Sequence, residues 1–305
     1  MWENLLEQIR RGAIKPLARC ISLVENEISG YEAFLQQLPA STTKVVGITG
    51  PPGAGKSTLT DALIGQIVAE GKKVAVLCVD PSSPFNLGAV LGDRIRMSQW
   101  YVHDSVFIRS LASRGSMGGL NPKIIEITDV LKAADFDWIL VETVGVGQSE
   151  IEIAGLADAT IVVLVPEAGD EIQTMKAGLM EIADVFAVNK SDRPGAELFM
   201  RNLRLMLAPA FSKKEHEIEI VATIASKNQG IDTLYAAIKK TLLHSGHKDR
   251  RAWLLAEKAY HLIQKERMQD IHKNRIKEEL EPLLHRADFN LYQYVNQKIA
   301  LRGSV

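Results

Sequence analysis

Three groups of residues in this chain have types and spacings suited to handling a phosphorylated nucleotide. The first is Gly50-Pro51-Pro52-Gly53-Ala54-Gly55-Lys56-Ser57, which fits the G-x-x-x-x-G-K-[ST] pattern at every fixed position. Its glycines allow positive φ, so that successive N–H groups turn toward phosphate oxygens while the following helix presents its positive end. Lys56 would neutralise the β- and γ-phosphates and the Ser57 hydroxyl would ligate Mg²⁺, with Thr58 next on the phosphate side. The bland alternative is a glycine-rich strand-to-helix turn that happens to hold a lysine. The flanking sequence argues against it: Val45-Val46-Gly47-Ile48-Thr49 reads as a buried strand, and Thr58 to Glu70 carries Leu59, Leu63, Ile67 and Val68 at helical spacing.

The second group, Asn189-Lys190-Ser191-Asp192, follows roughly 130 residues later at the end of the apolar run Val185 to Val188. An aspartate there can accept from guanine N1–H and the 2-amino group, donors that adenine lacks, and the resulting unpaired polar groups penalise the wrong base. Asn189 would brace the loop and the Lys190 stem would lie over the base plane. Ala225-Ser226-Lys227 sits where a backbone N–H is needed for guanine O6.

The third group is Glu142-Thr143-Val144-Gly145. A carboxylate at this place holds the Mg²⁺ shell, and a glycine N–H senses the γ-phosphate. Glutamate stands in place of the usual aspartate, and its longer reach suits contact through a metal-bound water. Gly145-Val146-Gly147-Gln148 reads as a flexible switch segment. With valine at position 146 no glutamine is placed to orient water, so slow intrinsic hydrolysis is expected. Asp80 and Asp93 could ligate Mg²⁺ or position water, or could simply initiate turns. The charges of Asp170 to Lys176 fit the solvated first turn of a helix.

These residues need a scaffold that brings strand ends together. Strands are expected at 44–49, 73–79, 105–110, 137–142, 159–165, 184–189 and 218–224, several as continuous apolar runs such as Ile161 to Val165. That pattern, alternating with helices, predicts an α/β fold: a doubly wound, mostly parallel sheet covered on both faces, with ligand loops at the carboxyl ends. Residues 1–40 read as an N-terminal helical extension, with stripes Leu5-Leu6-Ile9 and Leu17-Ile21-Val24 divided near Gly12 and Pro16. A P-loop domain is expected over 41–246 and a C-terminal helical arm over 247–305. The arm is read as one long charged helix over 249–280, ended or bent by Pro282, then a shorter helix near 288–299. It either folds back on the core or serves as a dimerising arm.

Composition narrows the classes. A formal net charge of −1 argues against sequence-independent nucleic-acid binding. No apolar run reaches membrane-spanning length, Glu3 and Glu7 interrupt the N-terminus, and a cytoplasmic protein is expected. Cys20 and Cys78 lack a partner motif and read as buried thiols. His244-Ser245-Gly246-His247 has no second ligand cluster beside it, which weighs against a metal-delivery role.

Together, Asp80-Pro81-Ser82-Ser83 and Glu142-Thr143-Val144-Gly145-Val146-Gly147-Gln148-Ser149 resemble the MeaB/ArgK-like P-loop GTPases, a group that includes methylmalonyl-CoA mutase chaperones. The resemblance spans nearly the whole chain and is strongest over 44–192. It implies homodimers that gate cobalamin delivery to, and protect or reactivate, an adenosylcobalamin-dependent acyl-CoA mutase. It also implies switch I carboxylates at Asp80 and Asp93, with Gln148 to Glu150 in switch II. Asp170, Gln173 and Lys176 match a third switch that meets the mutase and is linked to hydrolysis. The family's base loop reads Ser-Ala where this chain has Ala225-Ser226. An older reading of the group as a lysine/arginine/ornithine transport kinase gives the alternative, a P-loop kinase that tolerates ATP.

Overall fold

Because apolar runs must be covered on both sides, the strands assemble into the centre of the molecule. The computed structural model describes residues 1–80, 97–113, 120–145, 149–168, 177–211, 218–244, 248–268, 271–286 and 289–300. Its strands are β1 (Lys44–Thr49), β2 (Val74–Asp80), β3 (Val106–Ala112), β4 (Trp138–Glu142), β5 (Ala159–Leu164), β6 (Val185–Val188) and β7 (Glu219–Ala222). They form one parallel sheet in the order β3-β2-β4-β1-β5-β6-β7. All residues of β2, β4, β5 and β6 are buried, as a two-sided sheet requires. The expected and observed strands coincide to within a few residues at each end. β1 lies at the middle of the order, so the crossovers diverge on either side of its carboxyl end, the usual place for a ligand.

Successive strand residues feed opposite faces. Val45, Ala75 and Leu77 join one apolar layer with α1 (Trp2–Arg10), α2 (Ile14–Glu25), α3 (Tyr31–Leu35) and α5 (Ile124–Lys132). Val46, Ile48 and Val76 join the other, with α4 (Lys56–Ala69) and α9 (Ile231–His244). Leu203 and Leu207 of α8 (Ala196–Phe211) close a third cluster over β5 and β6. Between them run α6 (Ser149–Leu156) and α7 (Ala177–Ile182). The expected stripes Leu5-Leu6-Ile9 and Leu17-Ile21-Val24 are all buried. Pro16, expected at a helix break, instead lies in the first turn of α2, where a missing N–H costs no intrahelical bond. Both cysteines are buried, and burial pushes the Cys20 thiol up to about 12.

The chain divides into two compact units, Met1–Leu254 and Leu255–Val305. The single helix expected over 249–280 is corrected to two, α10 (Lys248–Arg267) and α11 (Lys273–Leu280). His272 takes an extended conformation at φ −106°, ψ 130°. His272 is a weak helix former, and the flanking sequence offers little apolar surface to hold a helix through it. The last helix, α12 (Leu291–Ala300), starts on Asn290, whose Oδ1 accepts from the backbone N–H groups of Tyr292 and Gln293 at 2.9 and 3.1 Å. No helix among the described residues is long and apolar enough to cross a membrane.

Candidate nucleotide site

The loop after β1 leads directly into α4, so Lys56 and Ser57 occupy the first turn of a helix aimed from the centre of the sheet. Lys56 is 7% exposed, and its Nζ donates to the carbonyls of Gly50 at 3.0 Å and Pro51 at 3.1 Å. An ammonium curled over its own loop stands where phosphate oxygens would meet it. Ser57 Oγ donates to Glu142 Oε1 at 2.6 Å. Thr60, one turn along α4, donates to Lys56 O and lies 3.0 Å from Glu142 Oε2. Sequence reasoning missed Thr60; the signal was a hydroxyl residue on the buried side of the phosphate helix.

Glu142 ends β4 and sits in register with Ile48 of β1 and Cys78 of β2. Asp80, two residues beyond Cys78, ends β2 and is 5% exposed, so the two carboxylates close adjacent strands. Thr143 Oγ1 donates to Thr49 Oγ1 at 2.9 Å, stitching the turn after β4 to the end of β1. That turn brings Gly145, at φ +91°, against the loop: a Cβ there would lie 2.3 Å from Gly50 O and 2.6 Å from Lys56 Nζ. Only glycine fits this approach. A hydroxyl and two carboxylates around a cradle that a Cβ would fill make a hard-oxygen donor set, which fits Mg²⁺ carried with a phosphate.

The base end is built by Asn189, which is 2% exposed. Its Nδ2 donates to Ala54 O at 2.9 Å, and its Oδ1 accepts from Ala225 N at 3.1 Å and Thr223 Oγ1 at 3.3 Å. One side chain thereby ties the phosphate loop to both base loops. The approach is tight enough that a Cβ on Gly55 would lie 2.4 Å from Asn189 Nδ2. Lys190, at φ +55°, donates from Nζ to Gly53 O at 2.8 Å, so its stem crosses from one motif to the other. Asp192 pairs with Lys227 at 2.9 Å, and that hydrogen bond holds its carboxyl below the usual range. In the turn Ala225–Lys227 the Ala225 N–H is taken by Asn189 and the Lys227 N–H by Ile224 O, which leaves Ser226 N–H of the three.

The fold therefore brings Lys56, Ser57, Asp80, Glu142, Gly145, Asn189, Asp192 and Ser226 to the carboxyl end of the sheet. Asp93, Val146, Gln148, Asp170, Gln173 and Lys176 lie outside the described residues, and Glu150 is in the first turn of α6.

A phosphate loop after the central strand of a parallel sheet, with an Asn-Lys-x-Asp loop two strands away, defines a P-loop GTPase. The chain belongs to the family of methylmalonyl-CoA mutase-associated GTPases, MeaB, which matches residues 17–279. It is similar to a protein of Pyrococcus horikoshii that carries a provisional GTPase name. The two are 45% identical over 243 residues, covering 78% of this chain and 77% of that protein. It is also similar to part of the fused isobutyryl-CoA mutase of Geobacillus kaustophilus, 35% identical over 254 residues, covering 78% of this chain and 23% of that protein. Among solved structures, that of an LAO/AO transport system kinase matches with a TM-score of 0.68 at 26% identity, covering 99% of this chain and 98% of that one.

Proposed function

We propose that this GTPase gates cobalamin loading of an adenosylcobalamin-dependent acyl-CoA mutase, such as methylmalonyl-CoA mutase, and protects or reactivates it. The observation that carries the reading is the relative in which a segment like this chain lies within a polypeptide named as an isobutyryl-CoA mutase. Nature has covalently joined such a domain to a mutase there, which speaks for a working contact between the two.

Phosphoryl transfer to water leaves little covalent work for the protein, so catalysis rests on positioning and charge neutralisation. Lys56 takes the β/γ-phosphate charge, and the amides of the Gly50–Ser57 loop orient the phosphates. Ser57, with Asp80, Asp93 and Glu142, would hold Mg²⁺, and the ion would supply neutralisation of the phosphate charge. Gly145 gives the γ-phosphate a backbone N–H without a side chain in the way. Asp192 accepts from guanine N1–H and the 2-amino group, with Ser226 N–H toward O6. Asp170, Gln173 and Lys176 would belong to the segment that meets the partner, as the family resemblance implies. With no glutamine at position 146, intrinsic hydrolysis is slow, and the partner accelerates it by acting on the switch segments.

The test is single-turnover hydrolysis with and without candidate mutases: the cognate mutase raises the rate by about tenfold or more, as for switch ordering elsewhere. An unchanged rate across methylmalonyl- and isobutyryl-CoA mutases removes the chaperone reading. Size-exclusion chromatography with light scattering tests the homodimer assigned to the C-terminal arm. A second reading, a transport-linked kinase, is favoured by the likeness to the solved transport system kinase. It requires ATP to bind as well as GTP and phosphate to reach an acceptor, and Asn189 to Asp192 weighs against it.

A further inference from the structure

At the end of the sheet opposite the nucleotide loops, the first two turns of α10 carry Arg250, Arg251 and Leu254, and each engages the sheet or the helices beside it. Arg250 donates to the last carbonyls of α7, Ile182 O at 3.2 Å and Glu181 O at 2.5 Å, and lies 3.6 Å from Asp184. Arg251 lies 3.7 Å from Asp158. The two aspartates are built alike. Asp158 precedes β5 and accepts from Val45 N at 2.8 Å; Asp184 precedes β6 and accepts from Thr160 N at 2.8 Å. In each, one carboxylate oxygen anchors a strand and the other faces an arginine of α10.

Leu254 rests on Gly155 of α6 so closely that a Cβ on the glycine would lie 2.7 Å from Leu254 Cβ and 3.3 Å from Arg250 O. The far side of α6 is equally tight. A Cβ on Gly47, in the strand that leads into the phosphate loop, would lie 2.5 Å from Ile153 Cγ1. Strand, helix and helix are thus stacked through two glycines with no slack between them. α6 starts four residues after Gly145 and packs on α7. Close-packed interfaces do not deform smoothly, so a displacement of α6 must be taken up by its neighbour.

We propose that Arg250 and Leu254 form a nucleotide-linked clasp. A change at the γ-phosphate side of the loop is carried along β1 and α6, with α7, to the root of α10. Arg250 is a positioning residue in this scheme and touches no nucleotide. The idea rests on the chain's being a GTPase and is indifferent to the identity of its partner.

Hydrogen exchange on the full-length protein tests it, comparing the GDP form with a non-hydrolysable GTP analogue, both with Mg²⁺. Exchange across residues 248–254 is expected to differ about fivefold or more between the two, within the usual range of coupling between sites. Arg250→Ala should abolish that difference while GDP affinity stays within about twofold, since coupling and affinity are separable quantities. Leu254→Ala, which keeps the arginine, should reduce the difference and serves if the first variant unfolds. Equal exchange in the two forms of the unaltered protein overturns the proposal, as does a full difference retained in both variants. Titration of the same samples with each nucleotide separates this outcome from failure to bind guanine nucleotide at all.

Discussion

The phosphate end and the base end of the site are constructed on opposite principles. At the phosphate end Lys56, Ser57 and Glu142 are 7%, 7% and 4% exposed, and each is held by buried partners. At the base end Asp192, the residue proposed to read the base, is 41% exposed and paired with a 56% exposed Lys227. Its brace, Asn189, is buried together with the Thr223 and Ala225 that it binds. A buried polar group that loses its partner costs about 1–3 kcal/mol, more when charged, whereas an exposed ion pair is worth about 0–1 kcal/mol. The phosphate end is therefore fixed by the fold. The base end keeps a readable carboxylate in solvent and borrows its rigidity from Asn189.

The sharpest way to break this contrast is at Lys56. Lys56→Ala is expected to weaken GTP by about a hundredfold or more, because a charge-assisted contact to phosphate is lost from a desolvated place. Titration with a fluorescent GTP analogue measures it, and an affinity within tenfold of the unaltered protein contradicts the account. Asp192→Asn comes next. It should cost GTP about ten- to a hundredfold and leave the weak binding of ATP almost unchanged, so the GTP/ATP ratio collapses. Competition between the two nucleotides reads that ratio directly.

The smallest effect belongs to Lys227→Met, within about fivefold on GTP affinity, as for an exposed pair. Its signature lies in pH. The Lys227 hydrogen bond depresses the Asp192 pKa, so the charged acceptor is present above the ordinary carboxylate range and is lost only as pH falls through that lowered value. Without Lys227 the acid limb of GTP selectivity should move up toward about pH 4, the unperturbed aspartate value. A limb that stays in place shows that Lys227 does not govern the carboxylate.

The same contrast explains what could be read from residues alone. The sheet was legible because β2, β4, β5 and β6 are buried on both faces and so appear as unbroken apolar runs. The phosphate loop was legible because its chemistry demands glycine and lysine at fixed spacing. The contacts between motifs were not: nothing local to Asn189 says that its amide spans Ala54 and Ala225, since that depends on how β1 and β6 are brought together. Nor does anything local to Lys190 say that its ammonium reaches Gly53 O. Thr60 escaped notice because a hydroxyl in a helix interior usually bonds its own backbone, as this one also does. The break between α10 and α11 was hidden for the opposite reason, a run of charged residues whose periodicity is too weak to mark an end.

The two buried cysteines have a practical consequence. Thiol chemistry needs an accessible thiolate, and Cys20, with its pKa pushed up to about 12, supplies almost none at neutral pH, while Cys78 is enclosed in β2. A maleimide dye or spin label should therefore ignore the native chain. One cysteine introduced at an exposed position such as Leu243 or Trp253 would be labelled alone, without first removing any natural thiol. The protein comes ready-made for distance measurements between chosen points.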